Sequence, residues 1–484
     1  MKFNVGEWVL KPGVKASHCQ QVREVRFNAD KTAVSLFCVG YKQDERCLDG
    51  PALFVTITTP KPDVIRMQTV HYKGTGAKMP AFDLALDATP LDCDVTDEKI
   101  TIRSGDTSLV IGKNPATFNY YYKGERITGI GDRYGTSMLS YMETPEGPFV
   151  RAQLELDVGE KVYGLGERFT NFVKNGQVVD IWNEDGGTAS EISYKNIPFY
   201  LTNRGYGVLV NDCGPVSFEV ATEHVARVEF SVPGEKLDYM VIGGGDPKTV
   251  VKNYTALSGR PALPPAWTFG LWLSSSFTTS YDEKTVTSFI DGMAERHIPL
   301  SVFHFDCFWL KENEWCSFEW DENMFPDVEG LLSRIHARGL KVCVWINPYL
   351  GQKSPVWDYC AEKGYLLKRP NGDVWQWDAW QAGCSIYDFT NPDCVAWYKE
   401  QLRRLLRQGV DVFKTDFGER IPTDVQWFDG SDPVRMHNYY TYLYNKIVWE
   451  TIAEERGKEQ ACLFARSATV GGQKFPVHWG GDCN

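Results

Sequence analysis

Gly409-Val-Asp-Val-Phe-Lys-Thr-Asp-Phe-Gly-Glu-Arg420 carries an apolar alternation that stops abruptly on a carboxylate, Asp416, with Gly418 just beyond. Alternation of that period predicts a strand over Gly409–Asp416, and a glycine behind it predicts a turn. The stretches on either side read as helices, about Pro392–Arg407 before it and about Pro433–Glu455 after it. A strand between two helices is the unit of a parallel sheet.

The same unit repeats outward. Strands are predicted over Thr268–Leu273, Leu300–Asp306, Leu340–Ile346 and Ala461–Ala465, and helices over Asp282–His297 and about Asp327–Arg338, with Asp282 as a cap. Five or six such units fit a (β/α)8 barrel better than a doubly wound sheet. Ser274, Asp306, Trp345, Asp416 and Arg466 all fall at strand C-terminal ends, where a barrel builds its site. The chain stops at Asn484, at or just after a sixth strand, so it reads as truncated, with open sheet edges that predict poor solubility and weak or no turnover.

Before Pro261 the punctuation is different. Short β-rich runs such as Ala52–Thr59 and Gly205–Val210 recur between turn residues, and amphipathic helices are scarce. An antiparallel β-sandwich over residues 1–255 is expected, followed by the incomplete barrel over 256–484.

Composition narrows the function classes. The 484 residues carry a net charge of −12, which disfavours nucleic-acid and acidic-membrane partners. No apolar run approaches the length of a membrane helix, and Glu7 and Lys11 interrupt any signal-peptide core. The 13 cysteines are scattered with no C-x-x-C pair, as in reduced, buried thiols of a cytoplasmic protein. Neither a metal nor a nucleotide cofactor is expected: His-Glu-x-x-His is absent, and Gly243–Gly245 lacks a strand–helix setting. Oligomeric state stays open, homo-oligomers included.

Two carboxylates stand out. Asp416 sits at a rigid strand end, although an aspartate capping a turn would look the same. Asp482, in Phe475-Pro-Val-His-Trp-Gly-Gly-Asp-Cys483, follows two glycines that permit close backbone approach and Trp479, an apolar surface able to raise a carboxyl pKa. A loop aspartate of no special role fits that spacing equally well. Asp-Phe-Gly at 416–418 is no kinase signature, because no glycine-rich loop or His-Arg-Asp accompanies it. Glu419 and Arg420 are expected to pair locally or brace the loop. Aromatics crowd the predicted loops: Phe308, Trp309, Trp315 and Trp320, then Trp375, Trp377 and Trp380. About half should be core by ordinary burial preference. As a loop group they point to a carbohydrate.

Lys414-Thr-Asp-Phe-Gly-Glu-Arg420, His304-Phe-Asp-Cys-Phe-Trp309 and His478-Trp-Gly-Gly-Asp482 together resemble glycoside hydrolase family 31, in its α-xylosidase branch. The resemblance implies a retaining double displacement on an α-xyloside or small oligosaccharide, with Asp416 as nucleophile and Asp482 as acid/base. It implies sugar contacts from Asp306, Arg466, Trp345, Lys414 and Trp380. Asp185, on a sandwich-domain loop, would reach over the barrel mouth, and Phe277, Cys307 and Phe308 would shape the pocket. An α-glucosidase, an α-glucan lyase and a non-catalytic carbohydrate-binding remnant remain alternatives.

Overall fold

Alternation in the second half of the chain produces five parallel strands: β1 Leu271–Ser274, β2 Leu300–Phe305, β3 Lys341–Ile346, β4 Val412–Thr415 and β5 Leu463–Ala465, paired in that order. The computed structural model describes residues 2–6, 9–40, 50–74, 78, 80–133, 136–379 and 381–482. Two compact units emerge, Met1–Gly76 with Ala81–Trp182 and Asn196–Gly259, and Ala77–Pro80 with Asn183–Lys195 and Arg260–Asn484.

In the second unit, period two divides every strand between two environments. Phe303 and Phe305, Val342, Val344 and Ile346, and Phe413 join the large core shared with the flanking helices. Val302, Cys343, Val412 and Cys462 point the other way, into a small cluster with Trp267, Trp272 and Val477. Two residues further along each strand on that second face come His304, Trp345, Lys414 and Phe464. The next steps bring Asp306, Asp416 and Arg466, each directly behind its strand. Parallel register holds these rows level, with Trp345 opposite Lys414 and Lys414 opposite Phe464. Chemistry collects at one end of one face because the strand period leaves it nowhere else.

The helices are α1 Glu283–Glu295, α2 Val328–His336, α3 Pro392–Gln408 and α4 Pro433–Arg456. Each starts on a side chain that accepts from a free backbone N–H: Asp282 from Thr285, Asp327 from Gly330, Asn391 from Asp393 and Asp432 from Arg435. Such caps are worth about 1 kcal/mol each. Gly409 ends α3 at φ +120, a conformation a side chain would strain, and delivers the chain to β4.

A closed barrel has eight strands. Five pair here among the described residues, and Pro476–Trp479 runs along the edge of β5, where Val477 N–H donates to Leu463 O and Trp479 N–H to Ala465 O. The expected strand at Thr268–Leu273 begins instead as a 3-10 turn, Ala266–Phe269, and becomes extended only at Leu271. An antiparallel pair, Tyr349–Gly351 with Cys384–Ile386, and a short helix, Trp357–Glu362, lie within the β3–α3 connection, where no strand or helix is expected from the sequence.

The first unit is antiparallel throughout. Sheets of eight, six and five strands enclose one core, and Ala52–Lys61 buries Leu53, Val55 and Ile57 at alternate positions. Each such side chain contributes about 1.5–3 kcal/mol by leaving water. A helix, Pro247–Ser258, adds to this β-rich half, capped by Asp246 and held by Tyr254 stacked on Phe199. Asp246-Pro247 at its start and Gly259 at its end were start and stop signals in plain sight. Among the described residues no helix is long and apolar enough to cross a membrane. Eleven described cysteines are free, ten of them buried.

Candidate active site

Arg466 organises the site. It emerges directly behind β5, is 1% exposed, and lies between the rings of Tyr194, 4.2 Å away, and Phe417, 4.5 Å away. Nη1 donates to Asp482 Oδ2 at 2.6 Å and Asp416 Oδ1 at 3.3 Å. Nη2 donates to Asp185 Oδ1 at 2.6 Å and is 3.0 Å from Glu419 Oε1. Burial pulls the guanidinium's pKa down, but Glu419, Asp416, Asp482 and Asp185 outweigh it and hold the charge firmly on. A planar fork offers two terminal nitrogens in fixed geometry, which a lysine's single nitrogen does not.

Asp416 is nearly immobilised. Oδ2 accepts from Trp345 Nε1 at 2.7 Å, and Oδ1 accepts from its neighbour Phe417 N–H at 3.1 Å and from Arg466. Phe417 takes φ +55 and Gly418 φ +97, so the chain doubles back at once. A side chain at Gly418 would come within 2.7 Å of Ser467 Oγ. Asp482 is built differently. Its side chain is 58% exposed, and among the described residues its one ion pair is with Arg466. Gly481, at φ +100, brings it back past Tyr194; a Cβ there would lie 2.0 Å from the tyrosine ring. Because Asp416 and Asp482 share one nitrogen, their contacting oxygens are no farther apart than those two bond lengths laid end to end. That bound is compatible with the roughly 5–5.5 Å of retaining carboxyl pairs.

A second charged pair lies on the same face. Lys414 Nζ donates to Asp306 Oδ2 at 3.2 Å and stands 4.9 Å over the Trp479 ring. Burial opposes both charges. Lys414 nevertheless lowers the Asp306 pKa, and Asp416 and Asp306 raise that of Lys414. Trp479, expected as an apolar neighbour for a carboxyl, meets Lys414 and Phe464.

His304, behind Asp306 on β2, is held neutral by burial, its pKa lowered to about 3. Its Nδ1 and Ser274 Oγ form a 2.7 Å hydrogen bond. The unfolded chain protonates this residue below about pH 6.5 and the folded one does not, so its contribution is intact above that pH and lost as pH falls toward 3. Between those limits stability is expected to fall by about 1.4 kcal/mol per pH unit from this group. His304→Asn should flatten the acid limb of urea-unfolding free energy against pH; an unchanged limb would refute the assignment.

The remaining expected residues divide. Asp185 belongs to the second unit with the rest of Asn183–Lys195, and its Oδ2 accepts from Arg420. Cys307 and Phe308 form a single 3-10 turn behind Asp306, with Cys307 buried, its thiol held protonated mainly by burial, and Phe308 half-buried on Trp315. Phe277 is 65% exposed on the turn after β1. Trp380 lies outside the described residues. Of the two expected roles for Glu419 and Arg420, local pairing is not found: Glu419 turns to Arg466 and Arg420 to Asp185. Of the loop aromatics, Trp309, Trp315, Trp320 and Trp375 are core, a larger share than the expected half. Trp309 still serves the site, donating from Nε1 to the Trp345 carbonyl at 2.7 Å. Tyr194 and Glu419 were not anticipated as site residues; for Tyr194 no local signal existed.

Residues 261–484 match the glycosyl hydrolases family 31 TIM-barrel domain, and residues 54–219 match the glycosyl hydrolase 31 N-terminal galactose mutarotase-like domain. The chain is 47% identical, over its full length and 64% of the relative's, to an alpha-xylosidase of Emericella nidulans. It is 52% identical, over 96% of its length and 61% of the relative's, to alpha-xylosidase XylQ of Lactiplantibacillus pentosus. It therefore spans less than two thirds of the length of either. Among solved structures, a Flavobacterium johnsoniae dextranase superimposes with a TM-score of 0.84 at 19% identity, covering 96% of this chain and 57% of that one. A soil-metagenome α-xylosidase bound to xylose gives 0.78 at 18%, covering 95% and 68%.

Proposed function

The chain belongs to glycoside hydrolase family 31, and from that premise we propose that it carries the catalytic pair of a retaining α-xylosidase. The observation that carries this reading is the unequal pair on Arg466. Asp416 is buried among three donors, which suits a carboxylate that must stay ionised and aimed. Asp482 is exposed with one ion pair, which suits a group that exchanges protons with solvent. In the first step an Asp416 oxygen bonds to the anomeric carbon as the glycosidic C–O bond breaks, and Asp482 passes its proton to the departing oxygen. In the second, Asp482 takes a proton from water, whose oxygen displaces Asp416 and regenerates both carboxyls. Asp306 and Lys414 supply an acceptor and a donor for sugar hydroxyls on the same face, and Trp345 fixes the nucleophile.

Xylose is favoured over glucose by what stands behind Asp306. Xylose lacks the hydroxymethyl group at C5, and Cys307 and Phe308 offer bulk with almost no hydrogen-bonding capacity. Two relatives at 47% and 52% identity are alpha-xylosidases, which supports the same choice. A hydroxyl desolvated without a partner loses about 1–3 kcal/mol, or roughly ten- to a hundredfold in kcat/KM. The test compares 4-nitrophenyl α-xyloside with the α-glucoside in the wild type and in Phe308→Ala. The xyloside is expected to win by at least about tenfold, and the variant to narrow the gap. Indifference in the wild type, or an unchanged ratio in the variant, refutes the wall.

A further inference from the structure

We propose that Glu419 is a positioning residue for Arg466, and that its proton decides how firmly the guanidinium holds Asp482. The catalytic consequence rests on the acid/base role proposed for Asp482; the proton on Glu419 does not.

Glu419 is wholly buried, and among the described residues neither of its carboxyl oxygens meets a hydrogen-bond donor in proper geometry. What it has is an ion contact, Oε1 to Arg466 Nη2 at 3.0 Å. Buried carboxyls in native proteins are normally tied down by donors, so one left against the edge of a shared guanidinium invites a functional explanation. The turn at Phe417 and Gly418 creates the arrangement, holding Asp416 on Nη1 while Glu419 reaches Nη2 of the same side chain.

Several charged or titratable groups surround that turn. Arg466 comes from behind β5, Asp416 from behind β4, Asp185 from Asn183–Lys195, Tyr349 from the Tyr349–Gly351 strand, and His437 and Tyr444 from α4. Tyr349 and Tyr444 keep their protons through burial, and both His437 ring nitrogens are engaged, by the Ile421 and Asn183 carbonyls. Arg420 is committed to Asp185. Burial pushes the Glu419 carboxyl up, Arg466 draws it down, and Asp416 and Asp185 push it up again, to about 7.

One positive charge thus faces four carboxyls. While Glu419 keeps its proton, the whole guanidinium charge bears on Asp416, Asp185 and Asp482. When Glu419 ionises it takes a share of that charge, and Asp482 retains its own proton to higher pH. An acid catalyst needs that proton, so Glu419 extends the alkaline limb of activity.

Glu419→Gln removes the charge and keeps the shape. It is expected to move the alkaline limb of kcat/KM for phenyl α-xyloside to lower pH by about one unit, the size of a nearby-charge effect. A packing role alone would lower kcat/KM by one factor at every pH, and that result overturns the proposal. A second measurement needs no turnover. Infrared titration of the wild-type chain is expected to show a buried protonated carboxyl that ionises across neutral pH and is missing in Glu419→Gln. Coupling between two sites is reciprocal, so Asp482→Asn, by freeing Arg466 for Glu419, must lower the midpoint of that band. No such band, or a midpoint that Asp482→Asn leaves in place, overturns the proposal even if the chain hydrolyses no xyloside. A missing activity with the band and its shift intact sinks the hydrolase reading alone.

Discussion

Replacing Asp416 by alanine is expected to lower kcat/KM toward an aryl α-xyloside by about 10⁴- to 10⁶-fold, the range seen when a nucleophile acting as part of a unit is removed. The size follows from how Asp416 is held. Trp345 Nε1, Phe417 N–H and Arg466 fix both oxygens, so no other carboxylate can swing into the same place. Glu419 is the nearest alternative in sequence, but it is wholly buried and faces Nη2 on the far side of the turn. Loss of the fold is not expected to mimic this result, because Arg466 keeps three of its four carboxyls in the variant. Azide entering the vacated space is expected to restore some release of the aryl group and to yield the β-xylosyl azide, as attack from the Asp416 side requires. A 5-fluoro-xylosyl fluoride should trap the wild-type intermediate on the peptide containing Asp416. A label elsewhere, or a loss below about a hundredfold, removes Asp416 from its role.

Legibility of this site from the sequence followed the length scale of each feature. Asp306, Asp416 and Arg466 were readable because a strand repeats every two residues, and its last inward position falls at the mouth whatever the helices do. Gly480-Gly481 left Asp482 balanced between a site carboxylate and an ordinary loop aspartate; in the fold it meets Arg466, and Gly481 passes close to Tyr194. What escaped depended on distant packing. The spacing Asp-Phe-Gly-Glu suggests a local partner for Glu419. Its actual partner lies 47 residues on, and only the left-handed turn at Phe417 selects it. Trp309, Trp315, Trp320 and Trp375 sit in connections, where a large exposed aromatic suggests a ligand. These connections are long enough to fold over the sheet end and bury their own rings against Phe305, Trp345 and Trp377. Phe277, on the turn after β1, stays at the surface. Helix Pro247–Ser258 was overlooked for a different reason: a β-rich context outweighed good local capping signals.

Arg466→Met should be the most destabilising single change in the second unit, costing about 3–5 kcal/mol, because it leaves buried carboxylates without their cation. Asp416 keeps the Trp345 and Phe417 donors, but Glu419 loses its ion contact outright, and Asp185 and Asp482 lose one each. Methionine fills the slot between Tyr194 and Phe417, so the loss is of charge more than of packing. The pH dependence identifies the cause. Stranded carboxyls in the variant have folded pKa values above their unfolded ones, so their protonated forms are favoured. Their contribution is fully present below the unfolded pKa of about 4 and lost as pH rises through the higher folded values. The deficit relative to wild type should therefore widen from mildly acid to mildly alkaline pH. Urea unfolding followed by tryptophan fluorescence reads the correct unit, since 14 of the 16 tryptophans lie beyond residue 260. Arg466→Lys should recover only part of the loss, because an ammonium lacks the two-nitrogen fork that spans Asp482 and Asp185. A deficit that is the same at every pH would mean that Arg466 stabilises by packing, and the charge account of the site would fall with it.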